Sequence, residues 1–401
     1  ADEADGERHV DRQARHRHHG DGRTDKPARQ ARHPERARRD IEAGALRFPK
    51  WDKSYDRPWF PEIDEDWEKS ANLQHWQDMA WRMQDDTEKV LLERARWLRE
   101  TTGAKNLCIA GGVGLNCVAN GRIVREAGFE NVWIQPAAGD DGIAIGCALY
   151  GHLQLQKQPR HYVINNAFFG ATYTDAERTA GETRFRLETK VTKSDDICRD
   201  TARLLADGKV FGWFQGRSEF GPRALGNRSI LADPRDPAMK DTLNKRVKHR
   251  QAFRPFAPIV LAERAAEIFE GDEESPFMLV AKRVKPDWVK RIPAIVHVDQ
   301  TARVQTVRKD QNQRLWRLLS EFDRITGVPV LVNTSFNVKG EPIVETPEDA
   351  IECFLATGFD YLALDDMLIE KTSMHAVISP VRRMMDDITT MVRRGLGDDG
   401  D

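Results

Sequence analysis

The sequence predicts an α/β protein of two lobes, and three stretches carry that prediction. Residues 106–110 (Asn-Leu-Cys-Ile-Ala) read as a buried strand that runs into Gly111-Gly112-Val113-Gly114 and then a helix. Residues 132–134 (Val-Trp-Ile) repeat the plan, passing through Gly139-Asp140-Asp141-Gly142 into the apolar helix 143–149. Residues 210–214 form a further apolar strand, and it delivers the stretch 216–229, which holds Arg217, Arg223 and Arg228 among glycines. Gly221-Pro222 prevents that stretch from being one helix. Arginines held on a glycine-rich turn suit bidentate recognition of phosphate or carboxylate oxygens. With Lys245, Arg246, Lys248, Arg250 and Arg254 they read as a polyanion pocket.

Strand, glycine turn and helix place backbone N–H groups where phosphate binds. The first turn is neither a G-x-G-x-x-G nor a Walker loop, because no Gly-Lys-Ser/Thr follows, and a plain tight turn is the competing reading. Asp140 and Asp141 fit either favourable charges at a helix start or ligands for a divalent cation or a ribose hydroxyl.

A chain of 401 residues supports two or three domains with their own cores. The net charge of −2 excludes a globally basic coat for nucleic acid, so anion binding has to be local. Five scattered cysteines without a C-x-x-C pair argue against a disulfide framework and for a reducing compartment; those in apolar runs read as inert buried thiols. No apolar run approaches the roughly 20 residues that span a bilayer. Together with the lack of a signal-peptide core, this predicts a cytoplasmic protein with no membrane and no nucleic-acid partner.

The first 45 residues stand apart. Before Ile41 there is no Leu, Ile, Phe, Met, Trp or Tyr, and runs such as Arg15-His16-Arg17-His18-His19 dominate. Such a segment cannot bury apolar surface, so residues 1–45 are expected to be disordered or a misread stretch. From residue 46 the composition is ordinary, and 72–101 shows apolar residues at helical spacing (Trp76, Met79, Met83, Val90, Leu91, Leu98), read as a packing face.

After residue 155 the pattern predicts a linker over 156–185 and a second α/β lobe over 186–372, with a helical or disordered tail at 373–401. Helix 196–207 leads to strand 210–214. Thr301–Val307 alternates as a strand around Arg303, and 312–326 is an amphipathic helix. Strand 328–332 then delivers Asn333-Thr334-Ser335 just past its end, where open sheets bind ligands, although an ordinary turn reads equally well. Each basic residue taken alone fits a solvated face. Arg223, Arg254 and Arg303 nevertheless sit between apolar or glycine neighbours, and buried arginines need anionic partners.

The run Gly111-Gly112-Val113-Gly114-Leu115-Asn116-Cys117-Val118-Ala119-Asn120-Gly121 and the Gly139–Gly142 turn resemble the actin-like ATPase lobe of the O-carbamoyltransferase family. That family includes nodulation protein U and antibiotic carbamoyltransferases, and the lobe is similar to that of the tRNA threonylcarbamoyl transferases. Residues 216–235, Phe253-Arg254-Pro255-Phe256 and Asn333-Thr334-Ser335-Phe336-Asn337 resemble the family's YrdC-like domain. The resemblance implies a partial actin-like lobe over 46–155 and a carbamoyl adenylate-forming domain over 186–372. It implies that Gly111, Gly112, Gly114, Asn116, Asp141 and Arg228 hold nucleotide, and that Asp140 ligates iron. Arg223, Lys248, Arg254, Arg303, Asn333 and Ser335 would line a pocket for carbamoyl phosphate and ATP, with Mg²⁺. The acceptor would be a small hydroxylated molecule.

That chemistry fits the residues. The two substrates together carry about six negative charges, and adenylate formation depends on positioning and charge stabilisation. The sequence departs from the family at its start: the H-x-x-x-H iron ligands and the first sublobe are not recognisable before residue 50. Two other readings stand beside the transferase: a tRNA threonylcarbamoyl-type modification enzyme, and a nucleotide-binding remnant without catalysis.

Overall fold

A computed structural model describes residues 73–248 and 253–380, of which Gln77 onward belong to one compact unit. The expectations for residues 1–45, the 46–72 segment, Arg250 and residues 381–401 lie outside the described residues.

Eleven strands are found among the described residues. They are β1 (Asn106–Ile109), β2 (Asn131–Ile134), β3 (Thr189–Lys193), β4 (Phe211–Phe214), β5 (Arg228–Ala232), β6 (Ala257–Leu261), β7 (Val280–Arg283), β8 (Thr301–Val307), β9 (Val330–Ser335), β10 (Tyr361–Leu364) and β11 (Met367–Lys371). The longer helices are α1 (Leu73–Thr102), α2 (Cys117–Glu126), α3 (Ile143–Tyr150), α4 (Asp175–Arg184), α5 (Ile197–Ala206), α6 (Gln313–Thr326) and α7 (Pro347–Ala356). The fold is mixed α/β, as the sequence predicts.

The parallel pair β1–β2 forms a small sheet of its own, with Cys108 opposite Trp133. The other nine strands form one mixed sheet in the order β3-β11-β10-β4-β5-β9-β6-β8-β7. Strand β9 lies inside it, antiparallel to both neighbours: Ser229 pairs with Ser335 and Ala257 with Asn333. Asn333-Thr334-Ser335 therefore belong to the strand rather than to a turn beyond it, because β5 and β6 extend the ladder across them.

The core of the large sheet is built by amphipathic helices. On α6, Leu315, Leu318, Leu319 and Phe322 recur at helical spacing and are fully buried. Asn312 caps that helix by accepting the Leu315 N–H, and Gly327, at φ 68°, ends it in the left-handed conformation. On α5, Ile197, Cys198, Thr201, Ala202 and Leu205 form the buried face, and α5 packs along α6.

Three expectations change. The Met and Trp stripe of α1 is not its packing face: Met83 and Val90 are exposed, and Leu92 and Ala95 are buried against Ile123 and Ala127. Strand β1 is only half-covered, and α3, though apolar, has no buried residue. The stretch 156–185 contains α4, started by a capping box in which Thr174 and Glu177 bond reciprocally. Helix α4 packs against α7, so part of that stretch is structured.

Candidate active site

The glycine loop follows β1 directly. Gly111 takes φ 100°, a conformation that L side chains avoid, and its N–H donates to the Ala138 carbonyl at 2.8 Å. That bond joins the two glycine turns, because Ala138 precedes Gly139-Asp140. A Cβ at Gly111 or Gly112 would meet no atom within 4 Å, so this part of the loop borders open space, whereas Gly114 is buried. Asn116 caps α2 by accepting the Ala119 N–H at 3.2 Å, and it exchanges amide hydrogen bonds with Gln84 at 3.0 and 3.1 Å. Its side chain thus holds the loop in shape. Gly142 must lack a side chain, since a Cβ there would fall 1.9 Å from the Ala137 carbonyl oxygen.

The arginine turn is organised around a residue that the sequence reading passed over. Glu219 Oε1 accepts the backbone N–H groups of Leu225 (2.7 Å), Asn227 (2.8 Å) and Arg228 (3.4 Å). Its Oε2 is buried with no hydrogen-bond partner, and burial pushes the carboxyl above its ordinary range despite those three donors. Asn227 Nδ2 closes the turn by donating to the Arg217 carbonyl at 2.7 Å.

The three arginines of the turn do different things. Arg217 lies on the surface and donates to the Gly170 carbonyl at 2.7 Å. Arg228 is fully buried at the start of β5, over the Phe214 ring at 3.5 Å from its centroid. Its guanidinium donates to the carbonyls of Gln215, Asn227, Gly216 and Glu345, which makes it a brace for the turn instead of an open nucleotide contact. Arg223 is different: its Nε is buried and has no partner. Burial pulls its pKa down, and the Cys117 thiol opposes this weakly.

Arg223 and Arg303 both act electrostatically on Cys117, the first residue of α2. Burial raises the Cys117 thiol pKa, and the positive charges of Arg303 and Arg223 both lower it, so all three groups share one neighbourhood. The glycine turn packs directly beside it: a Cβ at Gly221 would lie 3.1 Å from the Pro136 carbonyl oxygen. Beneath the turn, Asn333 donates to Gln305 Oε1 at 2.8 Å and to the Ala224 carbonyl at 3.3 Å, while Gln305 donates to the Leu225 carbonyl at 2.7 Å. Like Glu219 Oε2 and Arg223 Nε, Asn333 Oδ1 is buried and makes no hydrogen bond among the described residues.

Lys248 and Ser335 form a neighbouring cluster. Lys248 Nζ donates to the Ser335 carbonyl (2.5 Å) and Oγ (3.2 Å) and to the Asn337 carbonyl (2.9 Å) and Oδ1 (2.7 Å). Ser335 and Asn333 lie two residues apart on β9 and so face the same side of the sheet. Arg254 is exposed, and it makes no hydrogen bond or ion pair among the described residues. Asp140 and Asp141 are also exposed, and among the described residues no group of three or more His, Cys, Asp or Glu is placed to hold a metal. The donor set for the expected iron is therefore not assembled by these residues.

Glu219, Gln305 and Asn337 had no role in the sequence reading. All three lay inside quoted stretches, 216–229, 301–307 and 333–337. Glu219 had a sequence signal, a lone carboxylate inside a turn of arginines.

Comparison with known proteins places the chain among carbamoyltransferases. A family model described as carbamoyltransferase N-terminus matches residues 61–149, and one described as carbamoyltransferase C-terminus matches residues 202–371. The chain is 44% identical over 340 residues to an uncharacterized protein of Synechocystis sp., covering 76% of this chain and 54% of that protein. It is 41% identical over 302 residues to nodulation protein NolO of Bradyrhizobium diazoefficiens, covering 74% and 55%. It is 37% identical over 275 residues to nodulation protein U of Sinorhizobium fredii, covering 68% and 46%. The chain thus spans about half the length of these relatives.

Proposed function

Because the chain belongs to the carbamoyltransferase family, we propose that it is an ATP-dependent O-carbamoyltransferase whose described residues carry the activation of the carbamoyl donor. On this reading carbamoyl phosphate and water give carbamate and phosphate. A carbamate oxygen then attacks the α-phosphorus of ATP, the bond to the β-phosphate breaks, and carbamoyl adenylate and pyrophosphate result. The carbamoyl group passes next to a hydroxyl of a small acceptor, releasing AMP. The finer division into an actin-like lobe over 46–155 and a YrdC-like domain over 186–372 belongs to the same proposal.

The observation that supports it is that the positive charges of Arg223 and Arg303 both bear on Cys117 at the start of α2, directly after a glycine loop. Two guanidinium groups whose field reaches a helix N-terminus suit a multiply charged anion. Arg223, with its unpartnered Nε, is poised to take a phosphate oxygen, and Asn333 Oδ1 to accept from the carbamoyl NH₂. Lys248 supplies a point charge beside Ser335. Gly111 and Gly112 would take nucleotide phosphates through the loop backbone, with Asp141 toward the ribose and Arg254 reaching in from the surface. Mg²⁺ would arrive with the nucleotide and neutralise its phosphates; no step is assigned to iron.

The test is incubation with ATP, Mg²⁺ and carbamoyl phosphate, followed by measurement of pyrophosphate. Release that requires all three supports the reading. Release independent of carbamoyl phosphate, or none, overturns it.

A further inference from the structure

We infer that Asn120 is a positioning residue that locks the glycine loop to the strand pair carrying Arg303, so that the two halves of the site keep a fixed separation. The inference rests on the function proposed above and concerns a residue that touches neither substrate.

Asn120 is 1% exposed on α2, and its Nδ2 donates in two directions: to the Gly114 carbonyl in the glycine loop at 2.8 Å, and to the Leu279 carbonyl at 2.9 Å. Leu279 immediately precedes β7. The next residue strengthens the seam. A Cβ on Gly121 would lie 2.5 Å from the Ala281 carbonyl oxygen, so the helix backbone rests directly on β7. Ala281 is in register with Arg303 on β8. Three residues before Asn120, the same helix begins at Cys117, beside Arg223 and Arg303.

One short helix therefore touches the glycine loop and the edge of the nine-stranded sheet, and its first residue lies in the field of the two arginines. An amide is the group that suits this place, because both neighbours are carbonyls and both need a donor. A carboxylate would repel them, and a small apolar side chain would leave two buried acceptors unpaired. A slip of about an ångström between groups that hold one ligand is enough to cost on the order of a hundredfold in rate.

Two measurements test this. In hydrogen exchange of the full chain, Asn120→Ala should lose protection together at 111–121 and 279–283, with the core strands β4, β5 and β9 unchanged. In the pyrophosphate assay, Asn120→Ala should lower kcat about tenfold or more with KM for carbamoyl phosphate within about twofold. The double variant with Arg303→Ala should fall no further than the worse single variant. Asn120→Ser, which keeps one donor, should show the same pattern in milder form and replaces Asn120→Ala if that variant does not fold. Loss of protection on one side only, or rate effects that multiply with Arg303→Ala, would overturn the inference. A wild-type chain that releases no pyrophosphate would defeat the functional reading instead, and the exchange result would still decide the seam.

Discussion

Glu219 and Asn227 close the arginine turn on itself: the Glu219 Oε1 accepts the Asn227 N–H at 2.8 Å while its other oxygen stays buried without a partner. Burial raises the Glu219 carboxyl pKa in the folded protein above its ordinary value. The folded state thus binds that proton more tightly than the unfolded chain. Its contribution to stability is complete below the ordinary carboxylate range and is lost as pH rises through the raised value. Glu219→Gln keeps an acceptor for the turn and cannot ionise, so its denaturation midpoint should show less decline over that window than wild type. Glu219→Ala removes the acceptor and should cost about 2 kcal/mol below the ordinary carboxylate range, with the difference from wild type narrowing as pH rises.

Lys248 is held by four acceptors from Ser335 and Asn337. Lys248→Met leaves those acceptors without their donor and should destabilise the protein by about 1–3 kcal/mol in chemical denaturation. Asn337→Ala removes one partner and should cost less. If Lys248 also contacts phosphate, Lys248→Met should abolish pyrophosphate release at temperatures where the variant is fully folded.

The cysteines give a readout of the site without mutation. Cys108 and Cys147 are exposed, while burial pushes Cys353 up to about 12 and Cys198 up to about 11. Alkylation at mildly alkaline pH should modify Cys108 and Cys147 first and leave Cys198 and Cys353 intact. Cys117 should react slowly. ATP with carbamoyl phosphate should slow it further, because an anion between Arg223 and Arg303 removes the positive field that favours the thiolate.

Tyr173 donates to Glu345 Oε1 at 3.1 Å, and burial together with that carboxylate pushes its pKa up to about 12. Its proton is therefore held more tightly in the folded state, and the associated stability is lost as pH rises from about 10 through about 12. In an ultraviolet titration, Tyr173→Phe should remove a late-ionising phenol and cost about 1 kcal/mol at neutral pH.

Much of this was legible in the sequence because the signals were local. The Leu315-Leu318-Leu319-Phe322 stripe and the glycines after β1 each specify their element within a few residues. Of the three arginines read as buried from their neighbours, Arg223 and Arg303 are half-buried, whereas Arg254 is exposed despite its aromatic neighbours. What the sequence did not reveal was which donors are already satisfied. Arg228 looks like Arg223 in the chain, yet the carbonyls of Gln215, Gly216 and Glu345 surround it only once β5 forms beside β4. One partner of Asn120, Leu279, lies 159 residues away, beyond any local pattern. The apolar stripe of α1 misled for the converse reason, since its burial depends on a neighbour that covers Leu92 and Ala95 and leaves Met83 exposed.

The central claim is the proposal that Arg223 and Arg303, whose charges both bear on Cys117 just after the glycine loop, activate carbamoyl phosphate with ATP. Mass spectrometry of the reaction with ATP, Mg²⁺ and carbamoyl phosphate tests it most directly. Carbamoyl adenylate should accumulate with wild type and fall at least a hundredfold with Arg223→Ala and with Arg303→Ala, in variants whose hydrogen-exchange cores match wild type. Wild-type levels of adenylate from both variants, or none from the wild-type chain, would contradict it.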